Sequence, residues 1–392
     1  MKDDWDAWFR NIKWAKPFTY DDLIVKVGIG GVAVIFVAYW VLLGPPTKIE
    51  ADQNGFRGTG MAQIEFEAEM AALRALNVMP ESEEPWIPEG GEDLAKDVYE
   101  NVQVLGNLTD DNFNRVMLAI TEWVSPEQGC TYCHAEGEAL SADTLYTKLV
   151  ARRMFQMTWE VNANWTSHVG ETGVNCYTCH RGNNVPEYIW FSPEVESENL
   201  GPNVMYQNRG GQEESVYSKL PTNAIEELIG PNDDVNSEAI KVQSRAERAE
   251  NDTFDYQTGT ELTYSLMMHF SDSLGVNCTY CHNSRSWQDW SQSPPQRETA
   301  WYGIRMARTL NSEYLEPLGP TYPEHRLGPK GDAPKAMCST CHQGVAKPLY
   351  GAPAVEMWPE LVSPMPVYEQ ETAAATECRS SPSLRPLAQG PG

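Results

Sequence analysis

The chain has 392 residues, 55 of them acidic against 29 basic, and a formal charge of −26 at neutral pH. No basic run is large enough to neutralise a phosphate backbone, which excludes nucleic-acid binding, and an acidic surface suits a small positively charged protein partner instead. A polypeptide of this length has enough residues to bury a large core.

Residues 1–22 read as a short cytoplasmic tail containing Arg10, Lys13 and Lys16. Leu23 to Gly44 is almost wholly apolar apart from Lys26, a run of 22 residues where a helix needs about 20 to cross a bilayer. Basic residues precede the run, Tyr39 and Trp40 suit an interfacial belt, and Gly44-Pro45-Pro46 closes it, which predicts the N-terminus inside and the remainder in the periplasm. The run is too long for a usual signal-peptide core and no small-x-small cleavage pattern follows, so a retained single-pass anchor is expected. Residues 45–62 read as a periplasmic linker and 63–362 as the functional domain. The remainder, 363–392, is rich in Ala, Pro and Ser and reads as a flexible C-terminal tail.

Within 63–362, Cys-x-x-Cys-His occurs four times: Cys130/Cys133/His134, Cys176/Cys179/His180, Cys278/Cys281/His282 and Cys338/Cys341/His342. Two thiols at this spacing reach the two vinyl positions of one porphyrin while the next side chain brings an imidazole to the iron, so each copy reads as a c-type haem attachment site. Zinc ribbons and disulfides also use paired cysteines, but neither has a required place for the histidine that follows every pair. These sites take eight of the nine cysteines; Cys378, in the tail, reads as an unpaired thiol without a role. Four covalently bound haem c groups are therefore expected, outside the cytoplasm.

The expected fold is mainly α with long loops. The sites fall into two pairs, at about 100–190 and 250–350, separated by a long acidic segment; Gly173-Val174-Asn175-Cys176 recurs as Gly275-Val276-Asn277-Cys278, which predicts an internal two-fold repeat of haem pairs. Only His168, His269 and His325 remain as further histidines, so four bis-histidine irons are impossible and methionine sulfur is needed somewhere.

A helix over Thr109 to Val124, capped by Thr109, places Phe113, Met117, Ile120 and Val124 on one face. A second, Asp143 to Trp165, carries Met154; if it continued to His168 the two would lie about 21 Å apart and serve different irons. A third, Glu261 to Ser273, presents Met267, Met268 and His269 as competitors for one ligand role. A fourth, Thr299 to Leu315, carries Met306 in a sequence echoing Arg152-Arg153-Met154, which makes it a ligand by internal symmetry.

These residues resemble the tetrahaem cytochrome c subunit of the purple-bacterial type of photosynthetic reaction centre. The resemblance covers about 55 to 350. It rests on the paired sites, on Leu149-Val150-Ala151-Arg152-Arg153-Met154, on Trp165-Thr166-Ser167-His168-Val169, on Thr172 to Gly182, and on Ser271-Asp272-Ser273-Leu274-Gly275-Val276-Asn277-Cys278. It implies that Met117, Met154 and Met267 ligate the first three irons and His168 the fourth, leaving Met306, His269 and His325 structural or surface roles.

The resemblance also implies an electron carrier, not an enzyme, that re-reduces the photo-oxidised special pair held by the reaction-centre L and M subunits. The light-harvesting ring is a further candidate neighbour, and a basic cytochrome c or a high-potential iron–sulfur protein is the implied soluble donor. The implied location is the bacterial photosynthetic membrane. Family members often carry a lipid-modified cysteine near the N-terminus; here the first cysteine is Cys130, and the apolar run is expected to replace it. The rivals are a membrane-anchored multihaem quinol dehydrogenase, whose usual ligation needs more histidines, and a multihaem reductase, which needs an open iron.

Overall fold

The computed structural model describes residues 20–43, 48–53, 61–81, 83–192, 224–231 and 256–368. The expected tail at 1–19, most of the acidic segment between the pairs, and the C-terminal residues from 369 with Cys378 lie outside them. The chain divides into two units, Met1–Ala51 with Ile64–Ala71, and Asp52–Gln63 with Ala72–Gly392.

In the first unit the apolar run is helical, Tyr20–Leu43 (α1). Its side chains are described for 27–42, where Val32, Ile35 and Phe36 are exposed. Among the described residues no helix is long and apolar enough to cross a membrane; the expected anchor, Leu23–Gly44, reaches beyond those side chains at both ends. Two short strands, β1 (Ile49–Gln53) and β2 (Ala62–Phe66), straddle the boundary between the units.

The second unit is mainly helical. α2 (Asp110–Val124) starts where expected, because the Thr109 hydroxyl accepts the Asn112 N–H at 3.4 Å and Asp110 and Asp111 sit at the positive end of the helix dipole. Val116, Ala119 and Trp123 of α2 pack with Phe155 of α3 (Tyr146–Asn164) and with Trp358 and Leu361 from the C-terminal stretch. Arg115 pins that stretch, with Nη1 3.1 Å from the fully buried Glu360 carboxylate and its guanidinium 3.6 Å over the Trp358 ring. Emptying either side of such a pair leaves an uncompensated buried charge and costs about 3–5 kcal/mol.

α3 does not run on to His168. The helix breaks at Trp165 (φ −113°, ψ 29°) and resumes as the single turn α4 (Thr166–Val169). The second attachment site is itself a helix, α5 (Cys176–His180), followed by strand β3 (Ile189–Trp190).

A second apolar core joins Leu228 and Ile229 of α6 (Ala224–Ile229), Leu262 and Leu266 of α7 (Tyr256–Leu274), and Ile304 and Ala307 of α8 (Gln296–Thr309). α7 begins earlier than the expected Glu261 and stops at Gly275 (φ +64°), a position that favours glycine. The expected Thr299–Leu315 helix is α-helical only to Thr309 and widens into a π turn over Leu310–Leu315. There Asn311, fully buried, donates to the Ile229 carbonyl (2.9 Å) and accepts from the Ala336 N–H (2.8 Å). β3 pairs antiparallel with β4 (Lys335–Ala336), which brings the exit of the second site to the entrance of the fourth, α9 (Cys338–His342).

Candidate functional site

The four pentapeptides take two shapes. At the second site the Asn175 N–H donates to Thr178 Oγ1 (3.1 Å), and at the fourth the Met337 N–H donates to Thr340 Oγ1 (2.9 Å). Each threonine clasp starts one helical turn. Each turn ends in a left-handed residue directly after the histidine, Arg181 (φ 50°) and Gln343 (φ 48°). The first and third sites are instead short 3₁₀ turns, Gly129–Tyr132 and Cys278–Tyr280, and their first cysteines are exposed.

The second and fourth sites touch through matching bonds. Arg181 Nη2 donates to the Cys341 carbonyl and Gln343 Nε2 donates to the Cys179 carbonyl, both at 3.4 Å. Cys179 and Cys341 face each other with Cα atoms 4.4 Å apart and are joined as a disulfide. That pairing runs against the sequence expectation of thioether cysteines at both positions, and its physical reason is the abutment of the two turns. A sulfur holds either the disulfide or a porphyrin, so haem attachment here takes the pair as two thiols.

All four motif histidines share one arrangement. His134 Nδ1 lies 2.9 Å from the Leu140 carbonyl, His180 Nδ1 2.9 Å from Asn183, His282 Nδ1 3.0 Å from Trp287 and His342 Nδ1 3.0 Å from Val345. A carbonyl only accepts, so each ring carries its proton on Nδ1 and offers a bare Nε2, the arrangement by which proteins orient metal-ligating histidine. Burial lowers the pKa of His180 and His282, and pushes His342 down to about 4, where the neighbouring His168 adds to the effect. These imidazoles stay neutral at pH 7, the form that binds a metal.

His168 joins them. Its Nδ1 lies 2.9 Å from the Thr299 carbonyl of α8, burial lowers its pKa, and its ring centre is 6.0 Å from that of His342. Metal–nitrogen bonds of roughly 2 Å, with half an imidazole on each side, would give about the same separation, so His168 and His342 could hold one metal ion between them. His269 differs, its nearest partner being the Ser273 hydroxyl on its own helix, 3.3 Å from Nε2.

A single cavity of about 1860 Å³ is lined by every predicted site residue: the eight cysteines, His134, His180, His282 and His342, and Met117, Met154, Met267 and His168. Its volume exceeds the roughly 300–1,000 Å³ of a site for one small molecule. The walls are mostly apolar, with neutral nitrogens, sulfurs and paired thiols at intervals, a donor set that fits several porphyrins.

Met268 is 38 % exposed and does not line the cavity, which separates it from Met267 where the sequence could not. Met306 and His325 also line it. Sequence reasoning missed the orienting carbonyls of Leu140, Asn183, Trp287, Val345 and Thr299, because a backbone acceptor leaves no trace in residue type.

The family described as "Photosynthetic reaction centre cytochrome C subunit" matches residues 44–362. The chain is 48 % identical to the photosynthetic reaction center cytochrome c subunit of Roseobacter denitrificans, over 92 % of this chain and 99 % of that one. It is 43 % identical to the subunit of that name in Rubrivivax gelatinosus (86 % and 91 %) and 41 % identical to that in Thermochromatium tepidum (90 % and 85 %).

Proposed function

The chain belongs to the family of photosynthetic reaction centre cytochrome c subunits, and from that premise we propose that it re-reduces the photo-oxidised bacteriochlorophyll special pair through four covalently bound haem c groups. It is an electron-transfer subunit, drawing on a soluble periplasmic carrier, for which the acidic chain favours a small basic cytochrome; a high-potential iron–sulfur protein is the other candidate. Haem c supplies one-electron chemistry when bound, at a potential that methionine ligation raises relative to bis-histidine ligation. The observation that carries the reading is the one cavity that gathers all the proposed thiols, imidazoles and thioethers.

The eight cysteines would hold the porphyrins, Cys179 and Cys341 as free thiols, and the carbonyl bonds at Nδ1 fix the four motif histidines in the ligating tautomer. Met117, Met154 and Met267 would ligate the irons of sites one to three, and His168 that of site four. The contact between sites two and four and the exposed cysteines of sites one and three support the internal two-fold repeat, and on this reading sites two and four form the inner pair and sites one and three the outer. Leu23 to Gly44 anchors the chain in the photosynthetic membrane as a single pass with the N-terminus cytoplasmic, the domain at 63–362 periplasmic, and the L and M subunits beside it. The light-harvesting ring is a further neighbour.

Membranes containing the protein, flashed anaerobically with the haems pre-reduced, test this. Haem oxidation matched in time to special-pair recovery is expected; recovery with all haems still reduced overturns the donor role and points to quinol oxidation. The mass of the intact chain, compared with that of the bare polypeptide, counts the attached haems.

A further inference from the structure

Glycine is disfavoured inside a helix, yet Gly303 sits in the middle of α8 with ordinary backbone angles that any residue adopts. Space explains it. A Cβ at position 303 would lie 2.5 Å from Cε1, 2.8 Å from Nδ1 and 3.0 Å from Nε2 of His168, all inside the roughly 3.5–4.0 Å of van der Waals contact. Three ring atoms at such similar distances mean that the imidazole lies against the bare Cα of Gly303.

The Thr299 carbonyl, one turn earlier on the same helix face, takes the Nδ1 proton of the same ring, and the centre of the His342 ring lies 6.0 Å from it. The ring is therefore held by α8 at two points, the Thr299 carbonyl and Gly303, while it also lines the cavity. We propose that Gly303 is a positioning residue for the fourth haem: its missing side chain lets His168, from the first half of the chain, reach an iron attached in the second half. This rests on the reading of His168 as that iron's sixth ligand.

The test uses the assembled, haem-loaded protein. In His168→Gly, one reduced iron is expected to bind carbon monoxide, and added imidazole to restore a bis-imidazole spectrum at that haem. In the double variant His168→Gly/Gly303→Ala, carbon monoxide still binds, but the new methyl group occupies the place of the ring and imidazole affinity falls at least tenfold. Equal imidazole affinity in the two variants overturns the role of Gly303. No carbon monoxide binding in His168→Gly overturns the ligand reading beneath it. Because the double variant lacks the ring, the comparison does not depend on whether Gly303→Ala alone folds. If it does fold, it is expected to open the fourth iron to carbon monoxide, and an unchanged spectrum would count against the proposal.

Discussion

At the second and fourth attachment sites the pentapeptide is a helical turn, opened by a threonine clasp and closed by a left-handed residue that bonds to the opposite site. At the first and third it is a short 3₁₀ turn with an exposed leading cysteine. The histidine tether differs in the same way, since the accepting carbonyl lies three residues on at the inner sites but six and five residues on at the outer ones. Burial pushes Cys176 and Cys338, the leading thiols of the inner sites, up to about 12. One motif thus serves two mechanical situations: inner sites held by each other, and outer sites held by loops with an exposed leading cysteine.

The comparison is broken most forcefully at His168, which gives the inner pair its asymmetry. On the reading of His168 as the fourth iron's ligand, His168→Met would exchange imidazole for thioether there and is expected to raise that haem's potential by on the order of 100 mV, within the roughly 0.8 V that axial ligands span. A redox titration resolving the haems should show one component moving and three still. Movement of a different haem, or of none, would place the sixth ligand of site four elsewhere.

At the outer end, Met267 and Met268 form an internal control. Met267→Ala should abolish the sulfur–iron absorption band of the third haem, whereas Met268→Ala, whose side chain lies outside the cavity, should leave the oxidised spectrum unchanged. The reverse pattern would exchange their roles.

The repeated Gly-Val-Asn lead-ins sharpen the contrast further. Gly173 (φ +59°) and Gly275 (φ +64°) both need the left-handed region, which costs another residue about 1–2 kcal/mol. A Cβ at 275 meets the Gly344 backbone carbonyl at the exit of site four, where nothing yields cheaply. One at 173 meets only side chains, Val355 and the buried Asn162, the latter held by bonds to Val174 and Leu361. Gly275→Ala is therefore expected to cost about 2–5 kcal/mol and Gly173→Ala about 1–3 kcal/mol, read from denaturant unfolding of the loaded protein.

Those glycines also mark what the sequence made legible. The Cys-x-x-Cys-His spacing, the Thr109 cap and the helix stop at Gly275 are local, and each is readable because its chemistry involves a few neighbouring residues. The π turn at Leu310 and the seat of His168 on Gly303 depend on partners far away in sequence: Asn311 meets Ile229 and Ala336, and His168 meets Thr299. The helix of Met267 was predictable from its pattern, but which of two adjacent sulfurs enters the cavity depends on how α7 is rotated against α6 and α8. Tertiary packing decides that, and it leaves no period in the sequence.

The smallest expected effect lies at the outer site one, where the tether is electrostatic. The Leu140 carbonyl that orients His134 (2.9 Å) also accepts from Lys148 Nζ (2.9 Å), and Lys148 pairs with Asp143 at 3.2 Å. Hydrogen bonds from Arg152, with further ones from Asn101 and Lys148, hold the Asp143 carboxyl well below the usual carboxylate range. A depressed acid contributes stability above its unfolded pKa near 4 and loses it only as the pH falls through the lower folded value, so no change is expected between about pH 5 and pH 8. Asp143→Asn removes the pairing at every pH, but the carboxylate is a third exposed, so the loss is under about 1 kcal/mol and shrinks with added salt. The first haem's potential should shift slightly in this variant and in high salt, and the fourth's should not. Equal shifts at both would mean that the inner sites are not insulated from the surface, and the distinction between inner and outer tethers would fail.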